Sequence, residues 1–110
     1  MKKQFRLKRR SAFAYAYRKG EKSSSRNLLL LYTKSRGGIK IGISVSKKVG
    51  GAVVRNRVKR LIREGVNNIF PQIKGGYTYV IVAKSTAAEC DYYAICEDVK
   101  NIFNKAEKLC

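Results

Sequence analysis

Residues 39–84 read IKIGISVSKKVGGAVVRNRVKRLIREGVNNIFPQIKGGYTYVIVAK, and their periodicity decides the fold. In Ile39–Ser46, Ile41, Ile43 and Val45 alternate with Gly42, Ser44 and Ser46. That pattern predicts a strand with one packing face and one small, polar face that leaves room for something to lie against it. From about Val53 to Ile69 the period changes. At about 100° per residue, Val54, Val58, Leu61, Ile62 and Ile69 fall within one arc of a helix. Pro71 stops that helix, and Gly75-Gly76 reset the chain for a strand at Tyr77–Lys84. The Val80–Ala83 run, apolar on both faces, suits a central position. Strand, helix and strand in this order predict a parallel pair joined by a helical crossover.

Working outward, Leu28–Lys34 reads as another strand, joined to Ile39–Ser46 by a hairpin turn at Ser35-Arg36-Gly37-Gly38. GEKSSSRN before it, residues 20–27, reads as a loop or a brief edge strand. The first helix is short, with Ser11 as N-cap and Gly20 closing it. It carries Phe13, Ala16 and Tyr17 on one face and points Tyr15 elsewhere. The last element is a helix from about Asp91, its cap, to Leu109, with Ile95, Val99, Ile102, Phe103 and Ala106 as its apolar stripe. The prediction is a single α+β domain over residues 1–110: one mixed sheet with helices packed largely against one face.

The formal net charge is +18, and its distribution matters more than its size. Residues 1–88 hold 22 of the 25 Lys and Arg against only Glu21 and Glu64, whereas residues 89–110 hold three against five acids. So asymmetric a field steers a polyanion to one surface. A membrane surface would also attract it, but no apolar run approaches the roughly 18 residues a span needs, and Leu28–Tyr32 is strand-length. The basic N-terminus leads into charge and aromatics rather than an apolar signal core, so the expected location is the cytoplasm. Cys90, Cys96 and Cys110 lack the paired short spacing of a zinc site, and the chain has no histidine. Free thiols in a reducing compartment are the expectation.

Phosphodiester hydrolysis carried by protein needs a general base or a carboxylate cage for a divalent metal. Five of the seven acids lie beyond residue 88, and Glu97 and Asp98, adjacent in a helix, diverge too far to share a metal. No catalytic or metal-ligating residue is therefore expected in the chain itself. The basic segment is the stronger signal. Arg55, Arg57, Lys59, Arg60 and Arg63 repeat one sign where a solvated helix interleaves both, and like charges at such spacings cost a few tenths of a kcal/mol per pair. An external polyanion offsets that cost, and arginine suits forked contacts to phosphate. Phe13 and Tyr17 read either as core or as a stacking platform for unpaired bases.

These residues resemble a known family. KIGISVSKKVGGAVVRNRVKRLIRE, Lys40–Glu64, is similar to the signature of the protein component of bacterial ribonuclease P, centred on Arg55-Asn56-Arg57. RLKRRSAF, Arg6–Phe13, is similar to the family's opening. The resemblance implies a ribosomal-protein-like order α-β-β-β-α-β-α, with a mixed four-stranded sheet and three helices. Its β-α-β crossover would be left-handed, against the usual rule. It implies that an RNA subunit holds magnesium and cleaves precursor tRNA, leaving a 5′ phosphate on the mature tRNA. The protein, one copy per RNA, binds that catalytic RNA and the single-stranded 5′ leader. Lys47, Lys48, Arg55, Asn56, Arg57, Lys59, Arg60 and Arg63 would then face the catalytic RNA, and Phe13, Tyr17 and Ser44 would line the leader cleft. Where the family often places a cleft tyrosine, this chain has Leu31, with Tyr32 one place further. Gly65 stands where alanine is usual and predicts a weaker helix end. Two rivals remain at this point: a small ribosomal protein or RNA chaperone, and a protein-only nuclease.

Overall fold

Elements change where the apolar period changes between two and about 3.6 residues. The computed structural model describes residues 3–109. In chain order these form α1 (Arg10–Lys19), β1 (Glu21–Ser24), β2 (Leu28–Lys34), β3 (Lys40–Ser44), α2 (Ala52–Ile69), β4 (Tyr77–Ala83) and α3 (Tyr92–Lys105). Short 3-10 turns lie at Lys3–Phe5, Phe70–Gln72 and Ser85–Glu89. The brief edge strand before Asn27 is present as β1.

The sheet order is β1-β2-β4-β3. β2 runs antiparallel to both β1 and β4, while β3 lies parallel to β4 with α2 as the crossover. This corrects one expectation: β2 and β3 do not form a hairpin, because β4 is inserted between them. The physical reason lies in β4, where Tyr79, Val80 and Ile81 are fully buried and both faces need cover. Such a strand takes the centre, and β3, with its small outer residues, takes the edge. The turn at residues 35–38 passes the end of β4, where the Ser35 amide donates to the Gly76 carbonyl at 2.9 Å. The free edge of β3 is partly covered by the N-terminal segment: the Leu7 amide donates to the Ile41 carbonyl at 2.9 Å, and Lys40 Nζ donates to the Gln4 carbonyl.

The two faces of the sheet carry different cores. Leu28, Leu30, Ile41, Tyr79 and Ile81 pack against Val58, Ile62 and Val66 of α2 and Ile95, Val99 and Phe103 of α3. On the other face a small cluster of Ala16, Leu31 and Val80 is rimmed by Leu7, Phe13, Leu29 and Val82. Two helices therefore share one face, and α1 covers the other, because the outward residues of β2 and β4 are also apolar. Leu31 lies beneath α1, and Tyr32 belongs to the opposite face, settling which of the two points toward that helix.

Helix ends follow local chemistry. Asp91 caps α3, its Oδ1 accepting from the Ala94 amide at 2.9 Å. Gly20 closes α1, where a Cβ would sit 2.5 Å from the Ala16 carbonyl oxygen. Ser11 is not the cap: Arg9 holds that position, and Ser11 lies inside the first turn. α3 stops at Lys105 rather than Leu109, because Glu107 turns left-handed (φ 58°) and the Lys108 amide bonds back to Phe103. Gly65 is more than a weak helix position. A Cβ there would lie 3.1 Å from Val99 Cγ2, so the missing side chain is what lets α2 and α3 approach. Among the described residues no helix is long and apolar enough to cross a membrane.

Candidate nucleic-acid interface

The outer face of β3 and the adjoining face of α1 build the first half of the site. Gly42 and Ser44 point outward, two residues apart, and Phe13 and Tyr17 stand above them, one helical turn apart. The Phe13 ring lies directly on Gly42, where a Cβ would meet Phe13 Cζ at 2.5 Å. Tyr17 is 48% exposed, and its hydroxyl donates to Ser44 Oγ at 3.1 Å. These sequence-predicted residues are thus brought together. Phe13 is half-buried and joins the small core, so its ring serves packing and the cleft floor at once.

The second half is α2 and the loop before it. Lys47, Lys48, Asn56 and Arg60 are exposed, and Arg55, Lys59 and Arg63 are half-buried. Gly51 at the N-cap offers no side-chain cap. The Arg55 Nε is buried without a hydrogen-bond partner. Arg57 behaves differently from its neighbours. Its guanidinium fork turns inward, one nitrogen donating to the Cys90 carbonyl at 3.1 Å and the other to the Ala88 carbonyl. It therefore fastens the Ser85–Glu89 turn to α2, with two of its donors engaged within the chain.

The halves meet at the sheet edge. Lys59 and Arg63, one turn apart on α2, share a cavity of about 100 Å³ with Phe13, Gly42, Leu7 and Arg6. Arg6 Nε is buried there without a hydrogen-bond partner. Three cations thus converge beside an aromatic ring, a setting that favours an anion. Among the described residues no group of three His, Cys, Asp or Glu could hold a metal ion.

The family model described as Ribonuclease P matches residues 1–107. The chain is 34% identical over 108 residues to the ribonuclease P protein component of Bacillus cereus strain Q1, covering 96% of this chain and 94% of that one. The chain belongs to the ribonuclease P protein family. Its fold is similar to that of the Staphylococcus aureus RNase P protein, with a TM-score of 0.87 at 28% identity over 96% of this chain and 98% of that one. The RNase P protein from Thermotoga maritima shares the fold at a TM-score of 0.82 and 24% identity, over 91% of this chain and 96% of that one. Proteins of this family are subunits of an endoribonuclease holoenzyme, and the protein is not its catalyst.

Within the family frame, Arg6, Leu7 and Gly42 are lining residues that spacing alone does not reveal. Arg6 reaches the cavity through an isolated bridge to Ile41. Only its place in a basic opening segment hinted at a role. No tyrosine of β2 enters the cleft, since Leu31 is buried under α1. Cys90 and Cys96 are free thiols, and burial, followed by the charges of Asp98 and Asp91, pushes the Cys90 thiol up. Cys110 lies outside the described residues.

Proposed function

We propose that this chain is the protein subunit of a cytoplasmic ribonuclease P, binding the catalytic RNA through α2 and the 5′ leader of precursor tRNA through the α1–β3 cleft. The observation that carries the reading is the junction of the two surfaces at Arg6, Lys59, Arg63 and Phe13, with no carboxylate lining it. A single RNA strand passing along the sheet face would reach the basic helix without leaving positive potential.

In this reading the exposed ring of Tyr17 stacks an unpaired base, and the Ser44 hydroxyl exchanges its bond with Tyr17 for one to the strand. Gly42 keeps the floor low. Lys47, Lys48, Arg55, Asn56, Lys59, Arg60 and Arg63 contact phosphates of the catalytic RNA, while Arg57 holds the scaffold beneath them. Magnesium, bound mainly by the RNA and substrate, supplies the nucleophile activation and charge neutralisation of the cleavage step. The chain's own part is to raise affinity for precursor tRNA and orient its leader, one protein with one RNA.

The test is reconstitution. The purified chain with magnesium should cleave nothing, and adding the matching catalytic RNA should restore 5′-leader removal. The assembled holoenzyme should bind precursor more tightly than mature tRNA. Equal affinities would remove the leader-cleft assignment, and cleavage by the chain alone would overturn the division of labour.

A further inference from the structure

Two depressions adjoin α1: one lies on the outer sheet face, and one wraps the end of the sheet, where β2 ends and β4 begins, onto the face that carries Tyr32 and Tyr77. One is the cleft of Phe13, Tyr17 and Ser44. The other, of about 350 Å³, is lined by Tyr15, Lys19, Glu21, Tyr32, Lys34 and Tyr77, and nothing in the proposed function uses it. We propose that this second groove binds unpaired RNA, stacking a base among its tyrosines and holding the backbone with its lysines. The inference rests on the reading of the chain as an RNA-binding subunit, but on a different surface.

Three observations carry it. First, the rings are held ready. Tyr32 on β2 and Tyr77 on β4 meet edge to face with centroids 6.2 Å apart. Lys108 Nζ lies 5.0 Å from the Tyr32 centroid and 4.5 Å from that of Tyr77. Lys108 is itself tied down, its carbonyl accepting from the Lys74 amide at 2.7 Å and its amide donating to Phe103 at 2.9 Å. The pair is therefore fixed from behind by a cation anchored to the backbone. Ordering these rings in advance lowers the entropy lost on binding.

Second, Tyr15 belongs to neither core and remains 48% exposed, with the Arg18 guanidinium 6.0 Å from its ring centroid. Tyr15 lines the groove from the α1 side and the half-buried Tyr32 and Tyr77 line it from the other face of the sheet, so a base finds a ring at either end. Third, the charge is right. Lys19 and Lys34 are exposed at the groove, with Arg18 and Lys108 adjoining it, against Glu21 alone. Lys34 and Tyr77 also line the next depression, which runs past Gly75 and Gly76 to Arg36. That gives a strand a basic path onward from the tyrosines. Rings interleaved with cations along a groove are the composition of sequence-tolerant single-strand sites.

The experiment uses the full chain and a single-stranded uridine oligomer of about ten nucleotides carrying a photo-crosslinkable base. Crosslinks are mapped, and affinity is measured by fluorescence anisotropy, in the wild type and in the Phe13→Ala/Tyr17→Ala double variant. The expected result is crosslinking at Tyr15, Tyr32 or Tyr77 in both proteins. Adding Tyr15→Ala to the double variant should then weaken binding roughly fivefold or more, with an unchanged melting temperature. Crosslinks confined to Phe13, Tyr17 and α2, with no loss on Tyr15→Ala, would overturn the proposal and leave the leader cleft standing. Groove crosslinks, combined with precursor affinity unmoved by Tyr17→Ala in the holoenzyme, would support the groove and remove the cleft. Lys34→Glu gives an independent variant on the exposed end of β2. Its failure to weaken binding in the double-variant background would count against the path along the backbone.

Discussion

The two faces of one sheet are packed to different degrees. Under α2 and α3, side chains as large as Tyr79, Phe103 and Ile62 are fully buried, and the rings of Tyr79 and Phe103 meet at 5.0 Å. Under α1 the buried set shrinks to Ala16, Leu31 and Val80, and the residues around them are half-exposed or small. The first face holds the fold together. The second is packed only enough to seat a helix, leaving Phe13 half-buried and Tyr17 exposed beside it. The larger core lies on one face, and the proposed leader cleft lies on the other.

Breaking the first face should have the largest effect. Phe103→Ala should cost about 3–5 kcal/mol by opening a cavity, read as a steep fall in melting temperature. At temperatures where the variant is still folded, the preference for precursor over mature tRNA should persist. Loss of that preference without loss of stability would erase the distinction between the faces. On the second face, Gly42→Val should drive the Phe13 ring out of its seat, destabilising by about 1–3 kcal/mol and lowering precursor affinity together. Stability loss alone would mean that Phe13 is core and nothing else.

Tyr17→Ala sharpens the comparison further, since this ring is exposed. Precursor affinity should fall by about 1–3 kcal/mol with the melting temperature unchanged. A thermal shift with intact affinity would move Tyr17 to the structural side. The smallest effects separate neighbours on α2. Arg57→Lys keeps the charge but loses the fork on Ala88 and Cys90, so stability should drop by about 1 kcal/mol while the salt dependence of RNA binding holds. Arg60→Glu should do the reverse, flattening the slope of log affinity against log salt by about one with no thermal shift. Identical behaviour of the two variants would return Arg57 to the RNA-facing set.

Much of this was legible from residues alone, and the misses share a cause. Leu28–Lys34 matches β2 residue for residue, and the Val58, Leu61, Ile62 and Ile69 arc of α2 is buried as its period implied. The Lys40–Glu64 pattern led to the family. The hairpin between β2 and β3 failed because a turn-like Ser35–Gly38 is a local signal, whereas the insertion of β4 is settled by burial across the sheet. Ser11 failed as a cap for a smaller version of the same reason: the helix began two residues earlier than its apolar stripe suggested.

The sequence by itself determined the elements, the central character of β4, the one-signed arc of α2 and the lack of clustered carboxylates, because each depends on spacing within a short stretch. Only the tertiary structure decided which side chains of that arc are free. Arg57 and Arg60 are indistinguishable by charge and period, yet one is bound to carbonyls more than thirty residues away and the other is open to solvent. It also decided that Leu31 and not Tyr32 lies under α1, since neighbouring strand residues point to opposite faces and register is set by the partner strand. Distance along the chain carries no information about which carbonyls a guanidinium will find. Packing supplies it.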